Sequence, residues 1–159
     1  MAVSKSKTCL TRKEGFTLSE LMVATLIFTL TFAGAITVFF QCIELAEMSR
    51  NSSAAVGAVK NQIAAIENTP FAQLTAAYNN ATFTAANLTG IGITYVTNPS
   101  ADTAEVTLTF CWRQKNGRII GEDANLNGQM NAGEDKNGNG ILDSPVKLTT
   151  TIYDTSGIS

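Results

Sequence analysis

Hydrophobic and polar positions divide this chain into two kinds of sequence. From Leu21 to Phe40 run twenty residues without a charge, enough to span the hydrocarbon core of a bilayer as a helix. Beyond Phe40 the helical pattern continues but becomes amphipathic. Gln41, Glu44, Glu47, Arg50, Lys60, Asn61 and Glu67 interrupt it, while Val56, Val59, Ile63 and Ile66 recur at spacings of three and four. Asn68-Thr69-Pro70 predicts its end, because proline disfavours helix in the residue before it.

Residues 71–90 carry no charge and are rich in Ala, Thr and Asn. They read as an irregular or short helical connection, with Phe71, Leu74, Tyr78, Phe83 and Leu88 as anchors. Strand signals follow. Ile91–Thr97 is closed by Asn98-Pro99-Ser100. Ala104–Gln114 alternates, with Val106, Leu108, Phe110 and Trp112 on one face and Glu105, Thr107, Thr109, Cys111 and Arg113 on the other. That pattern predicts a half-buried strand whose apolar face covers the helix stripe. Lys115-Asn116-Gly117 is a hairpin turn, and Arg118–Gly121 returns from it. Val146–Tyr153 alternates again as the final strand. The expected class is α+β: a long N-terminal helix, transmembrane and then amphipathic, on a small antiparallel sheet.

The apolar segment has one ionisable residue near its start. Counted from Phe16, Glu20 lies inside it, and a carboxylate in lipid needs a positive partner. No Lys or Arg within the segment supplies one; a free α-amino group at Phe16 would. Before it stands a basic stretch, with Lys5, Lys7, Arg12 and Lys13 against Glu14. Such a stretch stays cytoplasmic and sends the C-terminal part across the membrane.

Gly15-Phe16-Thr17-Leu18-Ser19-Glu20, with the basic leader before it and the apolar helix after it, resembles the N-terminus of a type IV prepilin or type II secretion pseudopilin. The resemblance implies that a prepilin peptidase cuts between Gly15 and Phe16 and methylates the new amine of Phe16. It also implies that Glu20 pairs with the N-terminal amine of a neighbouring subunit, where two buried opposite charges are tolerable together. The domains expected on this basis are a cleaved leader over 1–15, a transmembrane or filament-core helix over 16–40, and a pilin-like domain over 41–159. One departure stands out. Many type IV pilins carry a helix-breaking proline in the apolar half, and this chain has none there. Gly34, between Ala33 and Ala35, is more naturally a small-residue contact with a neighbouring helix.

Composition narrows the function. Without the leader, seven Lys and Arg face twelve Asp and Glu, and no basic patch suggests nucleic acid. There is no His, which removes the commonest general base, and no Gly-x-Ser-x-Gly stretch. An enzyme is not expected. Cys9 falls in the leader; Cys42 and Cys111 remain, and an oxidising exterior leaves pairing and free thiols both open.

The insertion 122–144 carries the clearest chemistry. Counting from Asp123, oxygen-bearing side chains stand at places one, three and five: Asp123, Asn125 and Asn127. Gly128 is sixth, Gln129 offers a carbonyl at seventh, Asn131 is ninth, and Glu134 closes at twelfth. That is the spacing of an EF-hand type calcium loop, in which alternate residues of a tight turn aim oxygens at one centre. A second count follows through Asp135, Asn137, Asn139, Gly140, the carbonyl of Ile141 and Asp143. Its twelfth place is Val146, so it matches a shortened version. An Asn/Gly-rich turn without metal is the alternative, since those residues dominate turns for conformational reasons. Some pseudopilins hold calcium in a C-terminal loop, which this insertion resembles in position.

These readings converge on a non-enzymatic subunit, expected to be minor, of a type IV pilus or type II secretion pseudopilus, with one or two Ca²⁺ ions ordering its loop. Its implied partners are other pilin or pseudopilin subunits, the prepilin peptidase, an inner-membrane assembly platform and membrane lipid. It would span the inner membrane once, N-terminus cytoplasmic, before entering a periplasmic or extracellular filament. The alternative is a membrane-anchored monomeric calcium-binding module that does not polymerise.

Overall fold

In the computed structural model, residues 15–155 are described. Helix α1 spans Leu18–Glu67, 50 residues, and runs through Gly34 without interruption. A 3₁₀ turn at Phe71–Gln73 leads into the short α2, Leu74–Tyr78. Five strands follow: β1 (Ala81–Ala85), β2 (Leu88–Ser100), β3 (Thr103–Arg113), β4 (Ile119–Ile120) and β5 (Lys147–Tyr153). All pairings are antiparallel, in the order β1-β2-β3. The far edge of β3 is shared: β4 pairs with Trp112 and Arg113, and β5 with Thr103–Thr109. This is the α+β arrangement expected. The leader expected over 1–15 lies, apart from Gly15, outside the described residues.

The described residues form two compact units, divided between Ile43 and Glu44. The first is the apolar part of α1, the one helix among the described residues long and apolar enough to cross a membrane. Its large side chains, from Leu21 through Phe32 to Phe40, are exposed, all but Ile36 by more than half. Its threonines are satisfied within the helix. Thr25 donates to the Met22 carbonyl, Thr29 to Leu26, Thr31 to Ile27 and Phe28, and Thr37 to Ala33, all at 2.9–3.0 Å. Hydroxyls bonded to their own helix leave no polar group that needs water.

In the second unit, the later part of α1 packs on one face of the sheet. Ala55, Ala58, Val59 and Ile66 meet Val96, Val106, Leu108, Phe110 and Trp112 in one buried cluster, with Leu74 and Ile120 at its ends. One residue of the expected stripe does not face the core. Val56 is 39% exposed, and the alanines at 55 and 58 are buried in its stead. Small residues let a helix come close to a sheet, and hydropathy spacing alone underrates them.

Three strand expectations need correction. Residues 81–85, expected within an irregular or short helical connection, form β1, a hairpin partner of β2; Asn80 and Asn87, at φ 59° and 63°, make its flanking turns. Strand β2 begins at Leu88, earlier than Ile91, and continues through Pro99, where the register with β3 shifts. Finally, β3 is buried on both faces. Thr107, Thr109 and Cys111, expected on a solvent face, are 7%, 0% and 0% exposed; Thr107 Oγ1 lies 3.0 Å from Thr149 Oγ1 of β5, and the insertion reaches Cys111. Cys111 Sγ donates weakly to the Asp143 carbonyl at 3.9 Å, Ser144 Oγ donates to the Phe110 carbonyl, and Leu142, fully buried, donates its N–H to Tyr95 Oη at 3.0 Å. Burial pushes the Cys111 thiol above its ordinary value, and does the same to the Tyr95 phenol. Cys42 and Cys111 are both free thiols, Cys42 exposed.

Glycine is required at one position in β2. A Cβ on Gly90 would stand 2.5 Å from the Cys111 carbonyl oxygen, backbone that cannot move aside, whereas a Cβ on Gly57 of α1 meets nothing within 4 Å. Gly90→Ala should therefore destabilise the protein by about 1–3 kcal/mol, the usual range for overpacking. Gly57→Ala should gain up to about 1 kcal/mol from helix propensity. Thermal melts of the two variants in detergent should shift in opposite directions.

Candidate functional site

At the start of α1, Thr17 and Glu20 form a reciprocal pair. Thr17 Oγ1 accepts from the Glu20 N–H at 3.3 Å, and Glu20 Oε2 accepts from the Thr17 N–H at 2.9 Å and from Thr17 Oγ1 at 2.8 Å. This is a capping box, with threonine at the N-cap and glutamate three residues on, and it satisfies donors the helix leaves open. The Thr-x-x-Glu spacing was present in the sequence as a helix-start signal. Both Thr17 contacts fall on Oε2. The carboxylate at Glu20 is fixed at the helix N-terminus beside Phe16, which is 91% exposed.

The insertion holds two loops built alike, 123–134 and 135–146, between β4 and β5 and without flanking helices. In the first, Asp123 Oδ1 accepts from Asn127 N at 3.2 Å and Oδ2 from Gly128 N at 2.8 Å. In the second, Asp135 Oδ1 accepts from Asn139 N at 3.2 Å and Oδ2 from Gly140 N at 2.9 Å. The third-place amide oxygen accepts from the fifth-place N–H at 3.0 Å in both, Asn125 from Asn127 and Asn137 from Asn139. The fifth-place oxygen accepts from the seventh-place N–H, that of Gln129 or of Ile141. The backbone repeats as well: φ is positive at place four (Leu126 57°, Gly138 70°) and at place six (Gly128 73°, Gly140 77°). Glycine at place six lets the chain turn left-handed at no steric cost.

The side-chain tips converge. Asn125 Nδ2 and Asn127 Nδ2 both donate to Asn131 Oδ1, at 2.7 and 3.0 Å. Asn137 Nδ2 and Asn139 Nδ2 both donate to Asp143 Oδ2, at 2.7 and 2.8 Å. Asp143 Oδ1 meets Lys147 Nζ at 2.8 Å, and that ammonium, with the two amides, holds the Asp143 carboxyl below its usual range against the opposing effect of burial. The first loop is the more enclosed. Asp123 is fully buried and Glu134 7% exposed, and among the described residues neither forms an ion pair with Lys or Arg. Glu134 accepts instead from Ala124 N at 3.0 Å and Asn131 N at 2.9 Å. The structure thus brings together Asp123, Asn125, Asn127, Asn131 and Glu134 in one group, and Asp135, Asn137, Asn139 and Asp143 in another. Among the described residues no three His, Cys, Asp or Glu side chains gather in one cluster; each centre mixes carboxylates with amides.

Residues 10–36 match the family model described as the prokaryotic N-terminal methylation motif. The matched segment contains Gly15, Phe16 and Glu20 and runs into the apolar part of α1. It supports a subunit of the type IV pilin or pseudopilin class, cut by prepilin peptidase and assembled with other such subunits. No curated protein and no solved structure matches the chain.

The buried Asp123 carboxylate organises the first loop through two N–H groups before any ligand is considered. In the presence of a chelator, Asp123→Ala should lower stability by about 1–3 kcal/mol, as stranded buried donors do. Asp135→Ala should cost less, since water reaches the more exposed second loop. Denaturant titrations of both variants check the order.

Proposed function

We propose that this chain is a non-catalytic pilin-like subunit of a type IV pilus or type II secretion pseudopilus, a minor one, anchored in the inner membrane until assembly. The methylation-motif match, set directly before a helix whose apolar side chains are exposed, carries the reading. Such a surface needs lipid before assembly and neighbouring helices after it. Cleavage after Gly15 would free the amine of Phe16, immediately before the Thr17–Glu20 cap. Glu20 Oε2 is committed to Thr17, which leaves Oε1 for the methylated amine of a neighbouring subunit.

Glu20→Val should therefore be processed normally but enter filaments poorly, because the amine of Phe16 stays charged among apolar groups without a partner. Sheared filaments and membranes, compared with and without the prepilin peptidase, check this by the leader's mass shift and by where the protein fractionates. Normal incorporation of the Glu20→Val protein sinks the pairing. A wild-type chain that loses its leader yet never leaves the membrane points to the monomeric calcium module.

The same reading gives the insertion Ca²⁺. Its donors are oxygens alone, with no imidazole or thiolate, which suits a hard cation. Among the described residues the two buried carboxylates of the first loop form no ion pair, and the amide oxygens of Asn125 and Asn127 each keep a second lone pair beyond the N–H they accept. Asp123, Asn125, Asn127, the carbonyl of Gln129, Asn131 and Glu134 would hold one ion; Asp135, Asn137, Asn139, the carbonyl of Ile141 and Asp143 a second. Few acids and many neutral amides place affinity near the ~10⁻⁴–10⁻³ M of extracellular modules.

Calcium tenfold above Kd should then stabilise the full chain in detergent by about 1.4 kcal/mol, a melting shift of several degrees. Glu134→Gln should remove most of that gain, and Asp143→Asn much less. Magnesium should substitute poorly, since it demands tight octahedral geometry. A melting temperature indifferent to millimolar calcium and to chelator overturns the metal assignment.

A further inference from the structure

Beside the end of β3 lies a cleft that neither the filament reading nor the calcium reading uses. Its volume is about 240 Å³, below the ~300–1,000 Å³ of sites for drug-sized ligands, so its occupant is small. One wall is helix α1, where Glu47, Arg50 and Asn51 stand at i, i+3 and i+4 and so share a face. Arg113, Gln114 and Lys115 form the other, and the start of β2 completes the lining. The walls are tied together. Glu47 Oε1 accepts from Lys115 N at 2.8 Å. The turn after β3 is closed by Gln114 N to the Arg118 carbonyl and by Gly117 N to the Gln114 carbonyl, both at 2.9 Å. The cleft is therefore fixed by the fold.

Its lining is unfinished in two respects. The first is a pair of buried amides. Asn51 and Gln114 are 6% and 5% exposed, and among the described residues their side-chain amides make no hydrogen bond. Those amide atoms are nonetheless not sealed in, as the unpartnered Oγ1 atoms of Thr94 and Thr109 and Nε1 of Trp112 are. Both residues line the cleft, so the cleft is where their amides open. A buried amide without a partner is costly, and a polar group seated in the cleft relieves that cost.

The second is charge. Arg50, Arg113 and Lys115 bring three of the seven Lys and Arg beyond the leader to one cleft, in a chain whose net charge is negative. Among the described residues none of the three forms an ion pair. Glu47 is the one carboxylate among the lining residues, and its bond to Lys115 N already engages it. Three positive charges against one favour an anion. Two of the cations are guanidiniums, whose planar forks match phosphate oxygens in pairs, and amide N–H groups donate to the same acceptors.

We propose that this cleft binds a phosphate group, with Arg50, Arg113 and Lys115 as its cations and Asn51 and Gln114 as its buried amide donors. The group is a free phosphate or the headgroup of an anionic phospholipid, which present the same oxygens. All three cations are exposed, so binding weakens as salt screens them. The site shares no residue with the insertion and does not depend on calcium.

The test titrates the full chain in an uncharged detergent by calorimetry, with inorganic phosphate in one arm and short-chain phosphatidylglycerol in the other. Saturable binding is expected. Binding of inorganic phosphate identifies a free anion as sufficient, and binding of the lipid alone identifies a headgroup. Arg50→Gln and Arg113→Gln should each weaken binding about tenfold or more, the usual loss for a charged hydrogen-bond partner. Lys60→Gln, which removes a cation of α1 outside the cleft, should leave it unchanged. Melts without probe show that the variants are folded; both arginines are exposed, and if one variant is not folded the other decides. The absence of saturable binding in both arms overturns the proposal. So does equal binding by wild type and both arginine variants, or an equal loss in Lys60→Gln, which marks diffuse attraction to charge instead of a site.

Discussion

Strand β3 is the piece on which the second unit depends. It is hydrogen-bonded along both edges, to β2 on one side and to β4 and β5 on the other. It is also buried on both faces, from Val106 to Trp112. Its apolar face, Val106, Leu108, Phe110 and Trp112, is closed by α1. Its other face, Thr107, Thr109 and Cys111, is closed by the end of the insertion at Leu142. A strand enclosed in this way fixes the rest. Gly90 must be glycine because β2 crosses the Cys111 carbonyl, and Gly121 must be, because a Cβ there would meet Cys111 Sγ.

Helix α1 satisfies two different solvents along one continuous backbone. Up to Ile43 its large apolar residues are exposed, and the hydroxyls of Thr25, Thr29, Thr31 and Thr37 are bonded to its own carbonyls, so those side chains require no water. From Glu44 onward, one stripe is buried against the sheet, and polar side chains make specific contacts. Glu47 accepts from Lys115 N and Glu44 from Asn116 Nδ2, both at 2.8 Å, which ties the β3–β4 turn to the helix. The change of solvent coincides with the first charged side chains after Glu20. No proline or glycine break is needed to bring it about.

Much of this was legible in residue order because strong periodicities carry strong structure. The uncharged run Leu21–Phe40, the alternation Val106–Trp112 and the Asn116-Gly117 turn each appear where expected. What escaped notice were weak or indirect signals. Ala81-Thr82-Phe83-Thr84-Ala85 has too little apolar contrast to read as a strand, although the left-handed asparagines at 80 and 87 punctuate it. Ala55 and Ala58 were passed over for Val56 because small residues score poorly on hydropathy while fitting best where helix and sheet come close. Thr107, Thr109 and Cys111 were assigned to solvent because the insertion that covers them is polar and looked like a loop in water.

The insertion poses the sharper physical problem. It covers one face of the sheet with few apolar residues; Leu142 is its one fully buried hydrophobe, beside the partly buried Leu126 and Ile141. Ordering each residue costs about 1–2 kcal/mol of backbone entropy, which so little burial cannot offset. The structure answers with directed charge. The carboxylates of Asp123, Asp135, Glu122 and Glu134 each take two or more backbone N–H groups, and charge-assisted bonds of this type are about twice as strong as neutral ones. That solution concentrates negative charge, which Lys147 offsets at Asp143. On the proposed reading, a divalent cation at each centre would resolve the tension, binding the same oxygens through their remaining lone pairs and adding nothing the loop must bury. On the proposed reading, then, calcium completes a framework the carboxylates have already drawn, and the face of β3 over Cys111 stays covered only while that framework holds.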